Sequence, residues 1–244
     1  MPDLLPKLRN ALSLALLAAA ATAHAGPPEP PRVIVPGAKI AIGWPYAVLA
    51  EGMDAFDNGR RNLAPRAALR FRLLLAPGVT ALDNIVMTLV DGDRLTPVPL
   101  APDGFFTLAR QDGPVDAELA VNRNAGQFDG NRTPQPDVRT PGLPANVRRM
   151  GDLRLECRVK MAMARQLLGF MRSAAISLAG GTDWCAPRKG GGYSVDAGTT
   201  AAHAALAEEG RALALAVKAG AASIPIADSS WSNDALVTFD YAPQ

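Results

Sequence analysis

The sequence predicts a mainly β fold with minor α content (α+β), in which an antiparallel β-sandwich precedes a second half tied together by a disulfide. Three observations support this fold class. Gly contributes 22 and Pro 21 of the 244 residues, which favours turns and short strands over long helices. Between residues 85 and 121, short apolar segments recur about every ten residues with Asp-Gly corners, as in antiparallel hairpins. Cys157 and Cys185 are the only cysteines.

The composition is that of a globular protein. Hydrophobic residues make up 48% and charged residues 20% of the chain, enough for one sizeable core or two small ones. The formal net charge is +2, and basic residues are interspersed with acidic ones. Because nucleic-acid binders concentrate basic residues on one surface, the sequence predicts no nucleic-acid partner.

Residues 1–25 have the features of a secretory signal peptide. Lys7 and Arg9 precede an apolar run at 11–23, and Ala23-His24-Ala25 has the small-x-small form of a cleavage site. The apolar run is about 13 residues, short of the roughly 20 that span a bilayer. We therefore expect cleavage after Ala25 and a periplasmic or secreted product without a transmembrane segment. A retained anchor is the alternative.

Residues 26–65 are predicted to form a Pro-rich tether, a short strand and a helix. The tether at 26–36 contains five prolines, which remove amide donors and favour an extended chain. The strand is expected at 39–42. The helix is expected to begin at Pro45 and to end at Asn58-Gly59. Its apolar face should hold Leu49, Met53 and Phe56.

Residues 66–125 are predicted to form the β-sandwich. In the first strand, apolar side chains alternate with arginines before the Pro77-Gly78 turn, at Leu69, Phe71, Leu73 and Leu75. Further strands are expected at 85–90, 95–100, 105–109 and 117–121. Turns at Asp91-Gly92-Asp93 and Pro102-Asp103-Gly104 separate the first three of these.

A short motif lies between Pro97 and Leu108. A strand leads through a Pro-containing segment to the corner Asp103-Gly104-Phe105-Phe106-Thr107-Leu108, which has the form D-G-x-F-x-L. In this the chain resembles the prealbumin-like β-sandwiches of carboxypeptidase regulatory-like domains. The resemblance covers residues 66–124 and lacks that family's opening glycine-rich strand. It implies a non-catalytic accessory or adhesion-type module.

Residues 126–144 are polar and Pro-rich, and they are predicted to link the sandwich to an α+β lobe at 145–244. In this lobe, apolar and charged residues alternate from Leu153 to Met161, the period-2 pattern of a strand with one buried face. We expect that strand at 152–163. A helix should follow at 164–179.

The rest of the lobe is predicted to supply a further helix and a second set of strands. Residues 199–217 are ambiguous, because their alanines favour helix whereas 211–217 also alternates. We expect a helix at 200–208 and a strand at 211–217. After a turn at 218–220, strands are expected at 222–226 and 236–241.

Cys157 falls on the apolar side of the predicted strand, where it could be tied to Cys185. Two cysteines in an exported chain are most simply disulfide-bonded, because oxidising compartments favour pairing. Closing this loop would stabilise the fold by roughly 3 kcal/mol in the chain-entropy model.

Catalytic signatures are sparse. His203 is the only histidine after the predicted cleavage site, and the chain has no Gly-x-Ser-x-Gly nucleophile elbow. The segment Lys189-Gly190-Gly191-Gly192 reverses the order of a phosphate-binding loop, and the Asp and Asn clusters lack calcium-loop spacing. We expect no enzyme activity, metal or cofactor. A thiol hydrolase using Cys185 and His203 is the alternative if the two cysteines are not paired.

Five aromatic residues near prolines and glycines are the candidate ligand-binding side chains: Trp44, Tyr46, Trp184, Tyr193 and Trp231. Exposed aromatics form platforms for sugar rings or peptides, although the simpler interpretation is that Trp184 packs on the disulfide and Trp231 fills the sandwich. Exposed strand edges could also bind a partner by strand addition. The sequence therefore predicts a structural or protein-interaction protein with an unknown envelope partner. The alternative is an envelope glycan- or peptide-binding module.

Overall fold

The computed structural model describes residues 42–79, 84–110, 116–129, 133–171, 185, 192–196 and 201–241. The helices are α1, Tyr46–Leu63, and α2, Met150–Met171. The strands are β1 Ile42–Pro45, β2 Ala68–Arg72, β3 Met87–Asp91, β4 Arg94–Val98, β5 Phe105–Phe106, β6 Glu118–Val121, β7 Gln135–Arg139, β8 Val147–Arg149, β9 Tyr193–Asp196, β10 Ala201–Glu208, β11 Arg211–Leu215, β12 Val217–Lys218, β13 Ala221–Ile224 and β14 Leu236–Tyr241.

The strands form four antiparallel sheets within these ranges. Their strand orders are β1-β6-β3-β4, β5-β2-β7, β11-β10-β14-β8 and β12-β13-β9. A mostly β fold with two helices is therefore confirmed, whereas the sandwich arrangement and the domain boundaries stay predictions. Neither helix in the described part of the chain is long and apolar enough to cross a membrane.

The helix predicted after Pro45 is present as α1. Leu49, Met53 and Phe56 are buried on one face, as expected. The helix does not end at Asn58-Gly59 but continues to Leu63. Gly59 is a point of close packing instead, because a Cβ there would lie 2.6 Å from Cδ1 of Leu155 on α2.

The predicted strand at 152–163 is wrong, because these residues belong to α2. Two buried stripes, each with residues four apart, run along nearly opposite faces of the helix, since two residues turn a helix by about 200°. The stripes are offset by two residues, so they interleave in the sequence and imitate the alternation of a strand. They consist of Leu153, Cys157 and Met161, and of Leu155, Val159 and Met163.

Two predicted helices need correction. The helix expected at 164–179 is only the second half of α2 as far as Met171, and 172–179 lies outside the described residues. The helix expected at 200–208 is strand β10, which pairs with β11 on one side and β14 on the other. Pairing on both edges, with Ala204 and Leu206 buried, overrides the helix propensity of its alanines.

The remaining predicted strands overlap observed ones, although the strand expected at 39–42 shares only Ile42 with β1 and its residues 39–41 lie outside the described residues. β14 has the predicted bounds, Leu236–Tyr241. The strand expected at 211–217 ends at Leu215 and continues after one residue as the short β12. Ala216 separates them, and the chain changes there from pairing with β10 to pairing with β13.

α2 packs against two hydrophobic clusters. One cluster is built on α1 and the strands of the first half, and it receives Leu155, Val159 and Met163. The other is built mainly on β9, β10, β13 and β14, and it receives Leu153 and Cys157. α2 is therefore a central helix with a core on each side, rather than a surface strand.

Arg154 fixes the segment at 226–233 to α2. Its Nε donates to the Ile226 carbonyl at 2.8 Å, and its Nη2 donates to the Trp231 carbonyl at 2.9 Å. Its Nη1 donates to Oδ1 of Asn233 at 2.7 Å. One side chain thus satisfies several polar groups of a segment that has no regular secondary structure.

α1 and α2 approach closely at glycines. A Cβ at Gly52 would lie 2.8 Å from Cγ of Met163, and a Cβ at Gly151 would overlap the carbonyl oxygen of Leu63. The N-terminal part of α1 therefore packs against the C-terminal part of α2, and the C-terminal end of α1 packs against the N-terminal end of α2. The helices are antiparallel, and their separation depends on residues without side chains.

Gly151→Ala should lower the free energy of unfolding by roughly 2–3 kcal/mol, because backbone atoms must move to accept the methyl group. Gly169→Ala is the matched control, since Gly169 also lies in α2 but no atom is within 4 Å of the added Cβ. The control should raise stability by roughly 0.5–1 kcal/mol through helix propensity. Urea unfolding of both variants measures the difference, and equal effects would contradict the close packing.

Candidate functional site

A polar stripe of α2, formed by Asp152, Glu156 and Lys160, runs beside the outer edge of β7. The Val138 N–H donates to Oε2 of Glu156 at 3.2 Å. The Thr140 N–H donates to Oδ2 of Asp152 at 2.7 Å. Both carboxylates are buried, Asp152 with 0% and Glu156 with 3% of its surface exposed. Side chains of a helix therefore bind the backbone groups that a neighbouring strand would otherwise take.

The spacing of the stripe residues along α2 matches the spacing of outward-facing residues along β7. Four residues of helix advance about 6 Å, and two residues of strand advance about 6.6 Å. Successive stripe residues therefore reach successive outward-facing residues of β7. After Glu156 the next stripe residue is Lys160, and after Val138 the next outward-facing residue is Pro136. Both residues line the same cleft. Proline has no N–H, so Pro136 offers no backbone donor at this edge of β7.

Glu156 is the centre of a buried network. Its Oε2 accepts from Nη2 of Arg148 at 2.6 Å. Its Oε1 accepts from Nζ of Lys160 and from the Tyr193 hydroxyl, both at 3.0 Å. Burial raises the pKa of the carboxyl, but the charges of Arg148 and Lys160 and their hydrogen bonds outweigh burial and lower the pKa to about 2. Glu156 is therefore a charged carboxylate inside the protein.

The network extends through Arg148 to the far side of β7. Arg148 also donates to the Val138 carbonyl at 2.9 Å and lies 3.7 Å from Asp137. Asp137 in turn accepts from Arg70 of β2 at 2.7 Å. A chain of alternating charges thus joins α2, β8, β7 and β2.

The pKa values of Tyr193 and Asp152 are raised, whereas that of Glu156 is lowered. Burial, followed by the charge of Glu156, raises the pKa of the Tyr193 hydroxyl well above its usual range, so this hydroxyl stays a donor. Burial also raises the pKa of Asp152, although the hydrogen bonds from the Thr140 N–H and hydroxyl oppose that shift. The stripe thus contains two buried carboxyls whose pKa values are shifted in opposite directions, because neighbouring charges outweigh burial at Glu156 and burial outweighs the neighbours at Asp152.

A cleft of about 730 Å³ opens beside the Lys160 end of the stripe. Its walls come from β1 and the start of α1, from 133–136, from the second half of α2, and from β9 and the turn between β12 and β13. The apolar walls include Trp44, Pro45, Pro136 and Leu167. Polar groups come from Gln135, Lys160, Ser194 and Asp196. The cleft is large enough for a ligand with several side chains.

Three strands that line the cleft are edge strands. Within the described ranges β1 pairs only with β6, β7 only with β2, and β9 only with β13. The Tyr46 N–H donates to the Ala117 carbonyl at 2.7 Å. Since antiparallel pairing alternates, the N–H and carbonyl of Gly43 point away from β6. β7 is closed by the α2 stripe, whereas β1 keeps outward backbone groups at the cleft.

The five candidate aromatics are in different places. Trp44 lines the cleft, with its ring centroid 5.9 Å from that of Phe128 in an edge-to-face contact. Tyr46 and Trp231 are buried, with 5% and 6% of their surfaces exposed. Tyr193 is half-buried, with its hydroxyl on Glu156. Trp184 lies outside the described residues. Of the four that are described, Trp44 is the one that lines the cleft.

The sulfur atoms of Cys157 and Cys185 are 2.08 Å apart, in disulfide geometry, with their Cα atoms 5.8 Å apart. Cys157 reaches Cys185 from a helix rather than from the predicted strand. This pairing uses both thiols, so it leaves no nucleophile for a Cys185–His203 pair. His203 is an exposed residue of β10, in register with Asp240. The described residues contain no cluster of three or more potential metal ligands.

Sequence reasoning missed Glu156, Asp152 and Arg148. It placed the first two on or beside the wet face of a strand, where charged residues need no partner. The available signal was the spacing of Asp152, Glu156 and Lys160 at intervals of four residues, which aligns side chains on a helix. That the stripe would meet a strand edge instead of solvent depends on tertiary packing.

Glu156→Gln should lower the free energy of unfolding by roughly 3–5 kcal/mol at neutral pH, because buried Arg148 loses its nearer counter-charge. The folded pKa of about 2 is below the unfolded value of 4.5. The stabilisation from Glu156 is therefore complete above the unfolded pKa and is lost as the pH falls toward 2. Urea unfolding should show wild type and variant converging over that range.

Glu51→Gln, on the exposed face of α1, is the control and should change stability by less than about 0.5 kcal/mol. A Glu156→Gln variant as stable as the control would contradict a buried, charged Glu156.

Comparisons of the chain with protein-family models, with curated proteins and with solved structures found no match. The resemblance of residues 66–124 to prealbumin-like sandwiches stays a prediction. The cleft beside Trp44 and the sheet edges around it are therefore the features from which a function can be inferred.

Proposed function

We propose that this protein is a non-enzymatic interaction protein, exported to the periplasm or outside the cell, that binds an extended segment of a partner protein in the cleft beside Trp44. The observation that carries the proposal is the outward edge of β1, which lies at one cleft of about 730 Å³ that the edge strand β9 also lines. An extended peptide can pair with an exposed strand edge and place alternate side chains in adjoining pockets.

The cleft offers both backbone groups for strand pairing and surfaces for the side chains of a peptide. Gly43 directs its backbone N–H and carbonyl away from β6, so a peptide residue can exchange hydrogen bonds with it. Trp44, Pro136 and Leu167 offer an apolar surface for a peptide side chain. Nζ of Lys160 has three hydrogens, and its hydrogen bond to Oε1 of Glu156 uses one of them. A carboxylate or carbonyl oxygen of the peptide can accept another.

The arrangement of the aromatics favours a peptide over a glycan. Sugar rings stack on the flat face of an exposed aromatic side chain. Tyr46 and Trp231 are buried, and the guanidinium of Arg211 covers the Trp231 ring at 3.9 Å. Trp44 has an edge-to-face contact with Phe128 and shares its wall with prolines. Such a wall suits the apolar side chain of an extended peptide.

Export is supported by two observations. The predicted signal peptide ends at Ala25. The two cysteines have disulfide geometry, and disulfide bonds persist in oxidising compartments. The partner segment would then belong to another protein of the envelope or the extracellular space.

A displayed library of random ten-residue peptides tests the proposal. Selection on the immobilised protein should enrich related sequences, and fluorescence anisotropy of the enriched peptides should show saturable binding. Leu167→Glu should weaken that binding at least tenfold, because Leu167 lines the cleft and is 47% exposed. Leu95→Glu is the matched control, since Leu95 is 55% exposed on β4 and does not line the cleft.

Two results would overturn the proposal. One is the absence of enrichment on folded wild-type protein. The other is equal binding of the enriched peptides by both leucine variants. Saturable binding of peptidoglycan fragments that Leu167→Glu abolishes, in the absence of peptide enrichment, would instead support the glycan alternative.

A further inference from the structure

Lys160 is the cation at the cleft beside Trp44. Of the described residues that line the cleft, it is the one with a basic side chain. That side chain is 25% exposed, so a ligand in the cleft can reach it. The face of α2 that borders the cleft continues from Lys160 to Ala164 and Leu167, about one and two turns along the helix. The cation therefore lies next to an apolar surface.

The charges around Lys160 are not balanced within ion-pair distance. In the described part of the chain, the ion pairs of Glu156 and Asp137 join these two carboxylates to four cations: Arg148, Lys160, Arg70 and Arg139. Oε2 of Glu156 accepts from Arg148 at 2.6 Å, and Oε1 accepts from Lys160 at 3.0 Å. Because one carboxylate serves two cations, the cation at the cleft can attract a second anion.

The position of the ammonium group is fixed before a ligand binds. Nζ of Lys160 donates to Oε1 of Glu156 and lies 4.9 Å from the centroid of the Tyr193 ring. The Tyr193 hydroxyl donates to the same Oε1 atom, which holds the ring in place. Because the lysine side chain is already ordered, binding costs little further conformational entropy at this residue. Lys160 is therefore better prepared to bind an anion than a freely rotating surface lysine.

We propose that the segment bound in the cleft carries a carboxylate that accepts a hydrogen bond from Nζ of Lys160. This inference rests on the proposed function and specifies the chemistry of the partner segment. The carboxylate belongs to an Asp or Glu side chain or to the C-terminus of the segment, and both sources present the same pair of acceptor oxygens. A hydrogen bond between two charged groups is stronger than one to a neutral carbonyl.

The other charge at the cleft restricts where the carboxylate lies. Asp196 of β9 also lines the cleft and has an interaction within its own chain. In the described residues Lys160 forms an ion pair with Glu156 and none with Asp196. Like charges repel, so a ligand carboxylate is favoured at the α2 wall and disfavoured at β9. Leu167 lies about 10 Å farther along α2, the length of roughly three residues of an extended peptide.

Selection from ten-residue peptides displayed with free C-termini offers both sources of the carboxylate. Each enriched peptide is then synthesised with its C-terminus free or amidated, and with each Asp or Glu replaced by Asn or Gln. One of these neutral forms should bind the wild-type protein roughly tenfold more weakly than the parent peptide in fluorescence anisotropy. A loss on amidation identifies the C-terminus as the source, and a loss on replacement identifies a side chain.

Two variants test whether this preference depends on Lys160. Lys160→Met should bind the parent and the neutral peptide equally, because it keeps an unbranched side chain and removes the charge. Arg158→Met is the matched control, since Arg158 is an exposed residue of α2 that does not line the cleft. It should keep the roughly tenfold preference. Circular dichroism and thermal unfolding establish that both variants are folded.

Three results would overturn the inference. Equal binding of parent and neutral peptides by the wild-type protein would do so while the proposed function stands, and that comparison needs no variant. A preference that persists in folded Lys160→Met would show that another group binds the carboxylate. The absence of any enriched peptide would overturn the proposed function together with this inference.

Discussion

The buried charge of Glu156 is the constraint on which the rest of the structure depends. A carboxylate in the interior is stable only with opposite charges and hydrogen bonds around it. Glu156 obtains them from Arg148 on β8, Lys160 on α2, Tyr193 on β9 and the backbone of Val138 on β7. One side chain therefore connects four elements through hydrogen bonds.

α2 makes two kinds of contact. Its apolar stripes complete the two hydrophobic clusters, and its polar stripe closes the edge of β7. With the edge of β7 closed, β1 and β9 are the edge strands left at the cleft, and β1 is the one that carries Trp44. The same helix that stabilises the fold thus removes one sheet edge from the cleft. The proposed peptide site follows from this division.

The sequence predicted local features better than long-range ones. Strands β2 to β6, α1 and β14 follow patterns set by neighbouring residues, and each was predicted close to its place, whereas β7 lies in the segment predicted to be a Pro-rich linker. Residues 152–163 of α2 were predicted as a strand, because two buried helical faces place apolar residues at every second position, a pattern that periodicity alone cannot distinguish from a strand. β10 was predicted as a helix because alanine favours helix locally, and helix propensity does not include the pairing of β10 with a strand on each side. Trp44 was a candidate from the start, but the cleft around it is built from segments far apart in the chain.

Amide hydrogen exchange of Val138 and Gly43, measured by NMR on the folded protein at neutral pH, tests the central claim most directly. Both residues lie on edge strands, so strand pairing alone would leave both amides open. The Val138 amide, bound by Glu156, should exchange orders of magnitude more slowly than the Gly43 amide, which faces the cleft. Equal, fast exchange at both positions would show that the α2 stripe does not close the edge of β7.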